Sequence, residues 1–161
     1  MRILGVDPGL QVAGYAVIDE GPRVCEAGVI RSSEGRAAAE MAPRLVALYN
    51  GLVEVIEQFQ PAVAVMEQLY AHYAHPRTAI LMGHARGALM LAAGQRGLQV
   101  VSYSATQIKK TITGSGRAGK DQVQRTIQNE LGLQELPEPP DVADALAAAL
   151  CHYYAQKRPI S

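Results

Sequence analysis

Apolar and polar positions along the chain follow two periods, one of strands and one of helices. Residues 2–6 form a short apolar run ending at Asp7, and Pro8-Gly9 breaks it, which predicts a strand entering a tight turn. Residues 14–19 and 23–30 are β-rich runs on either side of Asp19-Glu20-Gly21-Pro22, a hairpin signal. From Met41 to Phe59 the apolar positions Leu45, Leu48, Leu52, Val55, Ile56 and Phe59 recur at helical spacing, and Gln60-Pro61 stops them. Residues 62–66 are apolar without interruption, as expected of a strand covered on both faces, and the run ends in Glu67.

Residues 68–75 read as a loop, and Pro76–Gln95 as a long, mostly apolar helix opened by proline. Gln99–Tyr103 is a further strand. Ala105–Thr113 and Lys120–Leu131 read as helices flanking the glycine-rich loop 114–119. Pro137, Pro139 and Pro140 forbid helix just before Asp141, and the Ala- and Leu-rich residues 141–155 predict a final, well-buried helix. Three meandering strands followed by strand–helix–strand crossovers give an α/β fold, a mixed five-stranded sheet with helices on both faces. In its simplest form the first and fourth strands lie side by side and parallel. Asp7 and Glu67 then share one sheet edge, the edge where open α/β sheets bind ligands.

Composition narrows the class. The 161 residues suit one domain, taken as 1–157 with a short C-terminal tail at 158–161. With 48% hydrophobic and 19% charged residues the chain is too apolar for intrinsic disorder. No apolar run approaches the roughly 20 residues that span a bilayer, and the N-terminus does not read as a signal peptide. Two cysteines, Cys25 and Cys151, suggest neither a disulfide framework nor a zinc set, so the expected home is reducing cytoplasm. The net charge of zero conceals a split. Between Pro76 and Asn129 eight basic residues face the single acid Asp121, a net +7, and the remainder carries seven basic and fourteen acidic residues. Such a segregated basic stretch meets a polyanion even on a neutral molecule, unless it is simply a set of solvated helix faces.

Four carboxylates stand out. Asp7 and Glu67 each follow a strand expected to be buried, where a charge is costly unless compensated. Asp141 and Asp144, three apart at a helix start, lie on one face. Taken singly they have plainer explanations: Asp141 as an N-cap with Asp144 at N3, and Asp7 as a turn residue. Taken together they form a hard-oxygen set suited to Mg²⁺ or Mn²⁺. Two such ions about 3.5–4 Å apart clamp the attacking and leaving oxygens of a phosphodiester.

The order of blocks then becomes recognisable. Gly5-Val6-Asp7-Pro8-Gly9 with Gly14-Tyr15, Glu67-Gln68, Gly83-His84-Ala85-Arg86-Gly87, Gln107-Ile108-Lys109 with Thr111, Lys120-Asp121-Gln122-Val123-Gln124 and Asp141-Val142-Ala143-Asp144-Ala145-Leu146 follow one another. From Ile3 to about Ala155 the chain resembles the RuvC-type Holliday-junction resolvases of the RNase H-like nuclease superfamily. The resemblance implies a homodimeric endonuclease that nicks four-way junction DNA symmetrically, beside a branch-migration motor, in recombination and repair. The family's four metal-binding carboxylates fall on Asp7, Glu67, Asp141 and Asp144. Its lysine close to the active site falls on Lys109, a second DNA-contacting lysine on Lys120, and the aromatic following the catalytic glutamate on Tyr70. An aromatic ring there stacks on a base left unpaired at the crossover.

Arg77, Lys110 and Arg117 are further candidate phosphate contacts, with solubility as their plain alternative. His72 and His75 lack a third soft ligand and read as surface or DNA-contact residues. Residues 114–120 match the first seven positions of a P-loop, but Asp121 stands where a hydroxyl must bind Mg²⁺, and no apolar strand precedes them. A mobile loop offering Arg117 and Lys120 to DNA is the better reading. Gly83 and Gly87, with Ile80, Leu81, Met90 and Leu91, suit core packing or a twofold seam. Competing functions are an RNase H-like nuclease for RNA or other DNA structures, a sugar kinase or actin-like ATPase, and an inactive junction-binding module. One domain is too small for the second, and a full carboxylate set argues against the third.

Overall fold

A computed structural model describes residues 1–32, 40–69 and 75–158. The strands are β1 (Ile3–Asp7), β2 (Val12–Asp19), β3 (Arg23–Arg31), β4 (Val63–Glu67) and β5 (Gln99–Tyr103). The helices are α1 (Met41–Phe59), α2 (Pro76–Gln95), α3 (Ala105–Thr113), α4 (Lys120–Leu131) and α5 (Pro140–Lys157). One sheet runs in the order β3-β2-β1-β4-β5. β1, β2 and β3 are antiparallel neighbours, while β1–β4 and β4–β5 are parallel. The mixed five-stranded sheet with helices on both faces is therefore the one expected.

Strand residues divide by parity because successive side chains leave on opposite faces. Ile3, Val63 and Val65 enter the core beneath α3, α4 and α5, together with Ile108, Ile127, Leu146 and Leu150. Leu4, Val6, Ala64 and Met66 enter the core beneath α1 and α2, together with Leu48, Leu52, Ile56 and Leu89. A strand sandwiched this way must be apolar at every position, which is why residues 62–66 show no alternation. α5 has Val142 through Tyr153 buried at every position except the exposed Asp144. An alanine-rich sequence permits this, since small side chains let the helix lie close to the sheet.

Several boundaries shift by a residue or two, and three of the shifts bear on the site. β2 begins at Val12, two residues earlier than expected, which puts Gly14 inside the ladder opposite Asp7. β4 extends to Glu67 itself. Helix α5 begins at Pro140, with proline in the first turn and Pro139 as the residue before it. Proline there loses only an N–H that has no helical partner anyway, so it starts this helix rather than forbidding it. The plain account of Asp141 as an N-cap fails as a result: it lies within the first turn, and no side chain caps this terminus.

Candidate active site

Parity places the first two carboxylates. Ile3 faces α5, and so does Gly5, where an added Cβ would overlap the Ala145 carbonyl, so Asp7 leaves β1 on that face too. Val63 and Val65 face the same way, and so does Glu67. Because β1 and β4 are parallel and paired from Ile3↔Val63 to Val6↔Met66, the two carboxylates emerge side by side where the strands end. Asp141 and Asp144 arrive from the first turns of α5, which lies across β1 and β2. Gly14, paired with Asp7, sets that approach: a Cβ there would overlap the Asp141 carbonyl and come within 2.9 Å of its Cβ. Only glycine lets the helix start come down onto Asp7.

The electrostatics follow from this crowding. Burial, then the charges of Asp144 and Asp141, a hydrogen bond with Asp141, and the charge of Glu67 push Asp7 from the usual 3.8 up to about 8. Glu67 is raised by burial and by Asp144, against the pull of Lys109. Asp144 is also raised, first by the protein packed around the helix start and then by Asp141, while Lys120 and Lys109 oppose the shift. Among the described residues, no ion pair engages any of the four carboxylates. Nor do three of them close around a single point. Like charges gathered at one sheet edge repel one another. An all-oxygen set short of positive charge has the donor chemistry that a hard divalent cation requires.

Two clefts open beside Glu67. The larger, about 230 Å³, is lined by Glu67, Asp144, Lys109 and Lys120 above Ile108 and Val123. Ser104 caps α3 by accepting from the Gln107 N–H at 3.1 Å, and Lys109 follows in that helix. Lys120 occupies the first position of α4, an end where a cation works against the helix dipole by about 0.3–1 kcal/mol. Its placement there favours what enters the cleft rather than the helix. A smaller cleft, about 90 Å³, lies on the other side and is lined by Asp7, Pro8, Glu67, Gln68, Met82 and Arg86.

Comparison with known proteins bears on this geometry directly. The family model described as "Crossover junction endodeoxyribonuclease RuvC" matches residues 3–152. The chain belongs to the RuvC family. A Rhodopirellula baltica protein named crossover junction endodeoxyribonuclease RuvC is 50% identical, over 98% of this chain and 89% of its own length. The Pelotomaculum thermopropionicum protein of the same name is 45% identical, over 94% of this chain and 92% of its own. In structure the chain is similar to T. thermophilus RuvC in complex with a Holliday junction substrate. The TM-score is 0.89 at 30% identity, covering 98% of this chain and 95% of that one. The RNase H-like fold expected of a RuvC follows.

The remaining predicted residues of this RuvC-family chain are more scattered. Arg77 in the first turn of α2, Lys110 near the end of α3 and Arg117 in the loop before α4 are exposed and line neither cleft. Lys110 also lies in the last turn of α3, where it complements the helix dipole. His75 is exposed just before α2 and makes no capping bond there. Tyr70 and His72 lie outside the described residues. The P-loop reading fails structurally as well, because helix α3 rather than a strand leads into residues 114–119. Sequence reasoning assigned no role to Arg86, which lines the smaller cleft. The missing signal was Pro8, whose significance depends on which way β4 faces.

Proposed function

We propose that this chain is a metal-dependent endonuclease that resolves four-way DNA junctions by paired symmetric nicks, with residues 1–157 as its single nuclease domain. The observation that carries the reading is the gathering of four carboxylates from β1, β4 and α5 at one sheet edge, with no ion pair to them among the described residues, beside a cleft bearing two lysines. Asp7, Glu67, Asp141 and Asp144 would hold two Mg²⁺ or Mn²⁺ ions, which supply a water of lowered pKa and neutralise the charge on the departing 3′ oxygen. Lys109, which lines the cleft together with Glu67 and Asp144, holds a non-bridging oxygen of the scissile phosphate. Lys120 anchors the backbone beside it. Lowering the pKa of the water and neutralising the leaving oxygen both need the ions, so activity is expected to be lost in a chelator. Arg77, Lys110 and Arg117 extend the positive surface towards the junction arms, and Tyr70 is the stacking residue for an unpaired base.

A homodimer fits a near-twofold junction, because it puts two equivalent sites on two strands. Ile80, His84, Gly87, Leu91 and Gly94 form an exposed stripe along α2, with Ile80 61% and Leu91 55% exposed. A Cβ at Gly87 or Gly94 would meet nothing within 4 Å, which leaves room for a second backbone. Leu81 and Met90 are half-buried, Met90 against the α1/α2 core. Cooperation with a branch-migration motor belongs to the same proposal. Among the described residues, no helix is long and apolar enough to cross a membrane. Cys25 and Cys151 are free thiols, in keeping with a reducing cytoplasm. The deciding experiment incubates the pure protein with a synthetic four-way junction, a Y-fork and a linear duplex, each with Mg²⁺, Mn²⁺ or chelator. Paired nicks confined to the junction and dependent on the ion are expected. Equal cutting of the fork or duplex, or cutting in chelator, would overturn the reading.

A further inference from the structure

Pro8 interrupts the sheet at the active edge, and the interruption has a consequence for Glu67. The Gln68 N–H donates to the Tyr103 carbonyl of β5 at 2.8 Å, so the polar backbone groups of Gln68 face β5. Successive residues of a strand face alternate neighbours, so the N–H and carbonyl of Glu67 face β1. In a parallel ladder registered as Gly5↔Val65 and Val6↔Met66, the next donor to the Glu67 carbonyl is the N–H of residue 8. Residue 8 is proline and has none. Regular pairing accordingly stops at Val6↔Met66, one residue short of the two carboxylates.

Arg86 supplies the missing donor. From α2 its Nε donates to the Glu67 carbonyl at 3.3 Å and its Nη2 to the Ser102 hydroxyl of β5 at 2.7 Å. Nη1 lies 3.1 Å from the Met90 sulfur. The guanidinium is half-buried and, among the described residues, pairs with no carboxylate. It is a rigid planar fork, so bonds to the ends of two adjacent strands fix both against α2. We infer that Arg86 is a positioning residue that replaces the absent Pro8 N–H, locking the end of β4 so that the Glu67 carboxylate points towards Asp7 and Asp144. The inference rests on Glu67 being a working carboxylate of the proposed nuclease. Lysine cannot reproduce the fork, since one ammonium does not reach both acceptors in the same geometry.

The test compares Arg86→Lys, Pro8→Ala and their double variant with the unaltered protein. The readouts are kcat and KM on a four-way junction, junction affinity in chelator, and the rise in Tm on adding Mg²⁺. Groups that orient metal ligands typically matter 10–100-fold. Arg86→Lys should therefore lower kcat at least tenfold, shrink the Mg²⁺-dependent Tm rise, and leave KM and chelator affinity within about twofold. The double variant should recover most of the lost kcat, because alanine in place of Pro8 returns an N–H to the Glu67 carbonyl. Unchanged kcat in Arg86→Lys, no recovery in the double variant, or a loss confined to junction affinity would overturn the inference, the last by making Arg86 a phosphate contact. Glu67→Gln is the separate control. If it cuts normally the nuclease site is wrong, whereas if it is inactive while Arg86→Lys is normal, only the positioning role fails.

Discussion

Asparagine in place of Asp7 should make the metal-free protein more stable at pH 8 while removing its nuclease activity. In the unfolded chain this carboxyl ionises near 3.8, and in the native site it keeps its proton up to about 8. Between those values the native state binds more protons than the unfolded state, so stability falls as pH rises through the window. At about 1.36 kcal/mol per pH unit the full span is a ceiling of roughly 6 kcal/mol. Neighbouring carboxylates contribute to the shift of Asp7, and part of their mutual repulsion stays when Asp7 alone is replaced. A single substitution therefore recovers about half the ceiling or less, on the order of 2–3 kcal/mol. With a urea slope of about 1–3 kcal/mol/M, that moves the unfolding midpoint by roughly 1 M. The assay is urea unfolding in chelator at pH 5, 6.5 and 8. The unaltered protein should lose stability across the series, and Asp7→Asn should lose less and exceed it at pH 8. Adding Mg²⁺ should restore the unaltered protein far more than the variant. A variant midpoint at pH 8 no higher than that of the unaltered protein would refute the idea of an uncompensated anionic site.

Other substitutions test separate parts of the arrangement. Glu67→Gln should abolish cutting while junction binding in chelator survives, as measured by gel shift. Lys120→Ala should weaken junction binding and reduce the salt slope by about one, since one phosphate contact is lost, and an unchanged slope would remove Lys120 from the DNA surface. Gly14→Ala should cost about 1–3 kcal/mol in chemical denaturation and lower kcat, because its Cβ would overlap the Asp141 backbone. Neither effect appearing would mean that α5 does not rely on that close approach.

The strands and helices were legible because burial imposes its period on the sequence. α1 shows one apolar stripe, and β1 and β4 stay apolar up to their terminal carboxylates because both their faces are covered. The edge shared by Asp7 and Glu67 followed from topology alone, and Asp141 with Asp144 from their spacing on a helix. What escaped is contact that depends on a neighbour's backbone. Gly14 reads as the first residue of a strand until β2 is known to start at Val12 and to lie under Asp141. Pro140 reads as a helix breaker until the helix is seen to begin on it. Arg86 reads as one more basic residue, because nothing in the one-dimensional order says that the Glu67 carbonyl faces Pro8.

The distribution of ion pairs gives the site its physical logic. Arg2–Asp19, Arg23–Asp19 and Met1–Glu20 lie at the end of the sheet away from Asp7, among the residues just before β1 and those in or flanking the turn between β2 and β3. Arg96–Glu57 joins the last turn of α1 to the residue just after α2, near where the Arg2 guanidinium bonds the Phe59 carbonyl. At that end charges are matched and exposed, so they contribute little to stability and demand nothing. At the other end Asp7 is crowded by three like charges, Lys120 sits at the unfavourable pole of α4, and Arg86 bonds only neutral groups. The first two arrangements cost stability in the isolated chain, and both are relieved by what the nuclease reading supplies: cations for the carboxylates and phosphates for the lysines. Arg86 is the exception, since its partners are already in place. It supports the edge on which the unmatched charges stand, which is why its loss should be felt in turnover before it is felt in binding.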